Sequence, residues 1–181
     1  QPIVREGNVT ITGNVLSDVQ VNVHLQDCRG VTLQGNTFWM GYQHNLLVED
    51  CTNVVVGPNN LDRNPRYAYG TSLEAHNAVV FRNCEDCTIS GLHVTNVWQT
   101  AAAVTFDHCR WMNIADCTIL DSDGVALLLE NCDHCRLSGL VIRDARTSPE
   151  ETVAIRQVDC TEIRLSDDNL LQGLVDLPGK P

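Results

Sequence analysis

One eleven-residue pattern occurs seven times along the chain, and six of its copies begin with cysteine. The copies start at positions 6, 28, 51, 84, 109, 132 and 160, so the steps between them are 22, 23, 33, 25, 23 and 28 residues. Self-similarity at a period of roughly 20–50 residues is typical of solenoids, in which each repeat stacks on its neighbour. The sequence therefore predicts a stack of similar coils.

Apolar residues stand at three places in each copy. The third residue after the start is Val9, Val31, Val54, Cys87, Met112, Cys135 or Ile163. The fifth is Ile11, Leu33, Val56, Ile89, Ile114, Leu137 or Leu165, and the tenth is Leu16, Phe38, Leu61, Val94, Ile119, Ile142 or Leu170. Apolar and polar residues alternate within each copy, which indicates β-strands and not helices.

A further short strand is predicted before each cysteine. Its inward-facing residues would be Val23 and Leu25, Leu46 and Val48, Val79 and Phe81, Val104 and Phe106, and Leu127 and Leu129. Leucine-rich repeats have a similar length, but their Leu/Asn consensus and helical half are not found in this sequence. We predict an all-β fold, a single parallel β-helix of about seven coils with three short strands per coil. The helix is predicted to be right-handed, because connections between parallel β-strands are almost always right-handed.

The β-helix is predicted to span residues 1–177, with 178–181 as a terminal linker. We expect this segment to be the C-terminal part of a longer protein, because the chain opens almost directly in a repeat without a cap. Twenty-three acidic residues against twelve basic ones give a net charge of −11, which argues against nucleic-acid or anionic-membrane partners. No apolar run approaches membrane-spanning length, so no membrane insertion is predicted.

The nine cysteines allow three interpretations. An odd number of single cysteines does not describe a disulfide framework. The two Cys-x-x-Cys pairs, at 84–87 and 132–135, are too far apart for a zinc ribbon, so no metal site is assigned. We predict a ladder of buried free thiols that act as small apolar side chains. Asn14, Asn36 and Asn59 recur at one turn and predict a second ladder, of asparagine side chains.

The copies stop resembling one another after the third strand of each coil. These connections are residues 39–44, 62–76, 95–99, 121–124 and 144–151, and repeat geometry places them on one flank. Insertions in solenoids often form the binding face. The aromatic and arginine residues there predict a substrate-binding flank for a polysaccharide: Trp39, Tyr42, Arg66, Tyr69, Trp98 and Arg146.

Residues 62–70 read Asp-Arg-Asn-Pro-Arg-Tyr-Ala-Tyr-Gly. This segment resembles the acidic-Arg-x-Pro-Arg-x-Arg-aromatic-Gly segment of the pectate lyases, and the whole chain resembles the pectate-lyase-like superfamily. The resemblance implies that Arg63 is the base that removes the proton alpha to a uronate carboxylate. The family's last arginine, which clamps the substrate, is replaced here by Ala68. The family's Trp-x-Asp-His motif and calcium-binding carboxylates are not evident.

The favoured function is therefore a secreted or cell-surface lyase that cleaves an acidic glycan by β-elimination. A polyuronate is a candidate substrate, and Ca²⁺ is a candidate cofactor. Arginine is a poor base, so His44, His76 and Tyr67 are alternative proton carriers.

Two other functions stay open. An inverting glycoside hydrolase would use loop carboxylates, for which Asp62, Asp121, Asp123 and Asp144 are the candidates. A carbohydrate-binding or structural β-helix would need no catalytic residues at all, because fold does not determine function.

Overall fold

The computed structural model describes residues 4–177, so the predicted terminal linker at 178–181 lies outside the described residues. Twenty-one strands form three parallel sheets of seven strands each, which confirms the predicted three strands per coil and seven coils. Each coil contributes one strand to each sheet in turn. The only helices among the described residues are two short 3₁₀ turns, Pro65–Tyr67 and Ser72–Glu74. None of the described helices is long and apolar enough to cross a membrane.

Within each sheet, the strands lie side by side in the order in which they occur along the chain. The first sheet consists of Glu6–Thr12, Cys28–Gln34, Val55–Val56, Thr88–Ser90, Asn113–Ala115, Arg136–Ser138 and Arg164–Leu165. The second consists of Val15–Leu16, Thr37–Phe38, Asn59–Leu61, Leu92–Thr95, Thr118–Leu120, Val141–Arg143 and Leu170–Leu171. The third consists of Val19–Gln26, Gly41–Glu49, Ala78–Arg82, Ala102–Asp107, Val125–Glu130, Val153–Val158 and Leu174–Asp176.

The core is a stack of the inward-facing side chains that the repeat predicts. In the third sheet, Val48, Phe81, Phe106 and Leu129 are neighbours in register from coil to coil, and all four are fully buried. The rings of Phe81 and Phe106 stack with their centroids 4.9 Å apart. Burial of these apolar rows, with the parallel hydrogen-bond ladders between coils, holds the stack together.

One predicted register is wrong by a single residue. Leu170 was aligned with Ile142, but the structure pairs Leu171 with Ile142 and Leu170 with Val141. Leu170 points outward and is exposed, whereas Leu171 packs against the core. The cause is an additional residue in the turn that leads to Asn169, whose side-chain amide bonds to the carbonyl of Ser166.

The asparagine ladder is confirmed at the corner between the first and second sheets. The buried Asn36 side chain donates to the carbonyls of Ile11 and Gln34 and to Oδ1 of Asn59, and its own Oδ1 accepts from the backbone of Asn14. These bonds satisfy main-chain carbonyls that the tight turn would otherwise leave buried without a donor.

The cysteine ladder is also confirmed, at the corner between the third and first sheets. All nine cysteines are free, and the inner members of the ladder are buried. The residue before each stacked cysteine has left-handed φ, between 50° and 55°, as a turn residue does: Asp27, Asp50, Asn83, His108, Asn131 and Asp159.

Thiol labelling of the native protein should report this burial directly. Only Cys28 and Cys160, at the two ends of the ladder, are partly exposed, and the other seven are buried. Burial also raises the pKa of the Cys51 thiol to about 11, which keeps it in the unreactive protonated form near neutral pH. We expect a colorimetric thiol reagent at pH 8 to modify two cysteines rapidly and the rest only after denaturant is added. Rapid reaction of more than two would contradict the ladder.

Candidate functional site

The irregular connections lie at one corner, as predicted. Each of them joins a strand of the second sheet to the next strand of the third sheet. The longest, 62–77, contains both 3₁₀ turns. The strand before this loop pairs in regular register with the next coil. The strand after it pairs with the preceding coil through one register shift, between His44 and Leu46, and is regular beyond that shift. We call this row of connections the loop flank.

The sequence of the long loop determines its first turn. Asn64 lies just before the turn, and its side chain accepts a hydrogen bond of 3.0 Å from the backbone of Arg66. Pro65 occupies the first position of the turn, where its missing N–H costs nothing and its fixed φ suits a helical start. The turn lifts Arg66 and Tyr67 away from the core, and both side chains are exposed.

Arg63 holds the long loop closed. Its guanidinium donates to the carbonyl oxygens of Ser72 and Ala75, on the far side of the loop, and at 2.9 Å to that of Asn96 in the next coil. The guanidinium carbon also lies 3.9 Å from the centre of the Trp98 ring. Partial burial lowers the pKa of Arg63 to about 10. These contacts favour a supporting role for Arg63, because a base must direct a free nitrogen at the substrate.

An aromatic pocket opens beside Arg63. Its volume is about 120 Å³, and Trp39, Tyr67 and Trp98 form its walls. Trp39 lies against Tyr67 with 5.2 Å between ring centroids, and against Tyr69 with 6.4 Å. Four of the predicted residues therefore meet at this pocket: Trp39, Arg63, Tyr67 and Trp98. Tyr69 lies against the ring of Trp39.

Other predicted residues lie outside the aromatic pocket. His44 is on the third sheet, where its Nδ1 is buried without a hydrogen-bond partner in the described part of the chain. Desolvation by burial, with a smaller contribution from Arg82, lowers the pKa of His44. The main chain of His76 bonds to Tyr42 and Trp98, and the Tyr42 hydroxyl is 2.6 Å from the hydroxyl of Thr71. Neither histidine lines the pocket with Tyr67.

A polar cleft of about 460 Å³ lies further along the loop flank. Arg146 occupies its centre and donates to Asp123 at 3.0 Å and to both carboxylate oxygens of Asp144. This pairing lowers the pKa of the nearly buried Asp144 and raises that of Arg146. Asp144 is therefore ionised at neutral pH, which suits a base or a ligand contact but not the acid of a hydrolase.

The remaining candidate carboxylates have structural partners. Asp121 accepts hydrogen bonds from the Arg143 side chain and the Ala145 backbone. Asp62 accepts one of 2.7 Å from the hydroxyl of Thr95. Neither side chain faces the aromatic pocket, so these two anchor the loops to the coils.

The described residues do not fit a calcium site built by the protein alone. Calcium takes six to eight oxygen ligands, several of them from carboxylates. Among residues 4–177, no three His, Cys, Asp or Glu side chains are grouped so that they could hold a metal ion. Asp123 and Asp144 face Arg146 instead.

Sequence reasoning missed the residues that complete these two sites. Leu73 and Asn96 line the aromatic pocket, and Gln99 links it to the polar cleft. The Gln99 side chain donates to the carbonyl of Leu73, and its backbone donates to Asp123 at 2.8 Å. An apolar residue in a polar loop was the available signal for Leu73. Nothing in the repeat indicates Asn96 or Gln99.

Comparisons with known proteins bear on the fold. No curated protein matches the chain. The crystal structure of a protein from Parabacteroides merdae ATCC 43184, proposed to be a glycosyl hydrolase, aligns with a TM-score of 0.53 at 13% identity, over 93% of this chain and 84% of that one. At this identity the likeness shows the fold alone. QnrB1, a plasmid-mediated fluoroquinolone resistance protein, aligns over 88% of this chain and 92% of its own at 8% identity, with a TM-score of 0.20 that is too low to indicate a shared fold.

The family model described as a right handed beta helix region matches residues 3–109, more than half of the 181-residue chain. This match confirms the handedness that the sequence predicted and agrees with the three parallel sheets. The chain belongs to the right-handed beta helix family.

Proposed function

We propose that this β-helix binds a polysaccharide along its loop flank, with one sugar ring in the aromatic pocket. The observation that carries the proposal is the grouping of Trp39, Tyr67 and Trp98 around a single pocket. A sugar ring has an apolar face and a polar edge, and aromatic walls with a few polar groups suit both. The hydrolase activity proposed for the Parabacteroides protein agrees with this class of ligand.

A second site on the same flank supports a polymeric ligand. The polar cleft lies next along the same flank, joined through Gln99, so a polymer could occupy both sites.

Cleavage of an acidic glycan by β-elimination is the second step of the proposal. Arg66 and Tyr67 are consecutive and exposed, and Arg66 forms no ion pair among the described residues. Arg66 would pair with the uronate carboxylate through parallel hydrogen bonds. Tyr67, in its phenolate form, would accept the proton alpha to that carboxylate. The electron pair left on that carbon forms the new double bond as the glycosidic bond breaks, and the resulting Tyr67 hydroxyl returns the proton to the departing oxygen.

This assignment moves the proton transfer from Arg63, which the sequence resemblance suggested, to Tyr67. The three carbonyl contacts of Arg63 are the reason. No step is assigned to calcium, since the described carboxylates do not fit it. We also propose that the protein is secreted or lies on the cell surface, because its proposed ligand is a polysaccharide.

Binding is tested with a panel of neutral and acidic polysaccharides by affinity electrophoresis and calorimetry. We expect Trp39→Ala to weaken binding by about tenfold or more, because it removes one wall of the pocket. Val55→Ala, an exposed change on the first sheet, is the control and should bind as the wild type does. Elimination is read from the ultraviolet absorbance of the unsaturated uronide, which should vanish in Tyr67→Phe while binding persists. Binding by no polysaccharide would refute the proposal, and binding without absorbance would refute only the cleavage step.

A further inference from the structure

The corner between the third and first sheets contains a second row of left-handed residues, opposite the aromatic pocket. They follow the residues that bridge adjacent coils, and their φ values lie between 49° and 68°: Gly30, Asn53, Asp86, Trp111, His134 and Glu162. Glycine, asparagine and aspartate tolerate this backbone region, and the early coils use them. A bulky aromatic residue does not, so Trp111 in this row requires another explanation.

Trp111 contributes nothing to the core. It is 56% exposed, whereas the inward residues of the same coil are buried. Its ring stacks on that of His134 in the next coil, with 4.2 Å between centroids and 28° between planes. Asp133 fixes the imidazole at 2.8 Å and is itself bonded to the hydroxyl of Thr161 at 2.6 Å. The indole is therefore held outward as a platform at some cost in backbone strain.

A groove of about 310 Å³ borders this platform, and Arg136 and Arg164 lie in it. Among the described residues, the Arg136 side chain bonds to one side chain, the neutral Asn113, at 3.2 Å. Arg164 is 3.9 Å from Glu162, which is longer than a hydrogen bond. The groove is therefore lined by two guanidiniums and one carboxylate, while the nearby carboxylate of Asp133 is engaged by His134 and Thr161.

We propose that this groove, which we call the Trp111 groove, is a second saccharide-binding site and that it takes a carboxylated sugar unit. The exposed indole would stack on the sugar ring, and Arg136 or Arg164 would pair with the carboxylate. The choice of a saccharide rests on the proposed function of the loop flank. The choice of an acidic unit rests on the two arginines. Because the Trp111 groove lies on a different corner of the β-helix, it would anchor the polymer away from the aromatic pocket.

The test is calorimetry with a short oligogalacturonate and a neutral oligosaccharide of the same length. The informative variant is Trp111→Asn, because asparagine already occupies the equivalent position at residue 53 with φ 54°. This variant should fold at least as well as the wild type, which circular dichroism and thermal melting would check. We expect the wild type to bind two oligogalacturonates and Trp111→Asn to bind one, with the affinity of the Trp111 groove lowered by about tenfold or more.

Two further variants separate this site from the first. Trp39→Ala should also leave one bound oligogalacturonate, the one held by the Trp111 groove. Trp111→Phe keeps a stacking ring and should retain both. A wild type that binds one ligand, lost in Trp39→Ala and unchanged in Trp111→Asn, would overturn the second site and leave the loop flank proposal standing. A wild type that binds none would overturn both.

Discussion

Replacing Phe106 by alanine is expected to lower the free energy of unfolding by about 4 kcal/mol, the range for a large aromatic side chain removed from a packed core. Phe106 is fully buried between Phe81 and Leu129 of the adjacent coils. Its ring stacks on Phe81 at 4.9 Å, so the substitution removes apolar burial and an aromatic pair and leaves a cavity. Because each coil contacts only its neighbours, the loss falls on the middle of the stack. Chemical denaturation followed by circular dichroism measures it.

Thr105→Ala is the matched control. Thr105 precedes Phe106 in the same strand, but its side chain points outward. The control should change the free energy of unfolding by about 1 kcal/mol or less, as expected of a partly exposed, outward-facing strand position. Equal effects of the two substitutions would mean that the Phe81–Phe106 stack does not support the core.

Arg63→Ala is expected to open the long loop and abolish measurable binding in the aromatic pocket. The substitution leaves the carbonyls of Ser72, Ala75 and Asn96 without their donor, at a cost of about 1–3 kcal/mol for each that stays buried. Trp98 also loses the cation that lies on its ring. Limited proteolysis with chymotrypsin measures the opening, because Tyr67 and Tyr69 are exposed cleavage sites in this loop.

Arg63→Lys and Arg66→Ala are the comparisons that interpret this result. Lysine keeps the charge but cannot donate to three separated carbonyls, so Arg63→Lys should also expose the loop to chymotrypsin. Arg66→Ala should leave the loop protected and weaken only the binding of acidic polysaccharides. If Arg63→Ala kept a protected loop and normal binding but lost elimination, Arg63 would be the chemical base that the sequence resemblance implied.

The fold could be predicted because each coil repeats the same pattern of inward-facing residues. Val54, Cys87 and Met112 differ in chemistry, yet their common position in three coils identifies an inward row that a single strand would not reveal. The same redundancy identified the asparagine and cysteine ladders as structural features. The prediction was wrong at Leu170, where a turn of different length removed the only guide to register.

The sequence predicted where the loop flank lies on the β-helix, but not which side chains contact one another there. Its aromatic residues indicated where a ligand would bind, and Trp39, Tyr67 and Trp98 do meet in one pocket. The direction of the Arg63 side chain depends on how the loop folds back to Ser72 and Ala75, and no repeat constrains that path. Trp111 escaped notice for the opposite reason. It lies within a regular coil, and only its positive φ separates it from an ordinary surface residue.

Beyond the register shift beside His44, the inward rows of the coils on either side of the long loop stay aligned. Leu61 still pairs with Val94, and Val48 with Phe81, across the coil that carries residues 62–77. Selection can therefore lengthen, shorten or exchange this segment without having to alter the stacked strands at the same time. We expect variants of this scaffold to differ in ligand preference mainly through such exchanges. Transplanting the loop together with Trp39 and with Trp98, on which Arg63 rests, would carry the aromatic pocket to another set of coils.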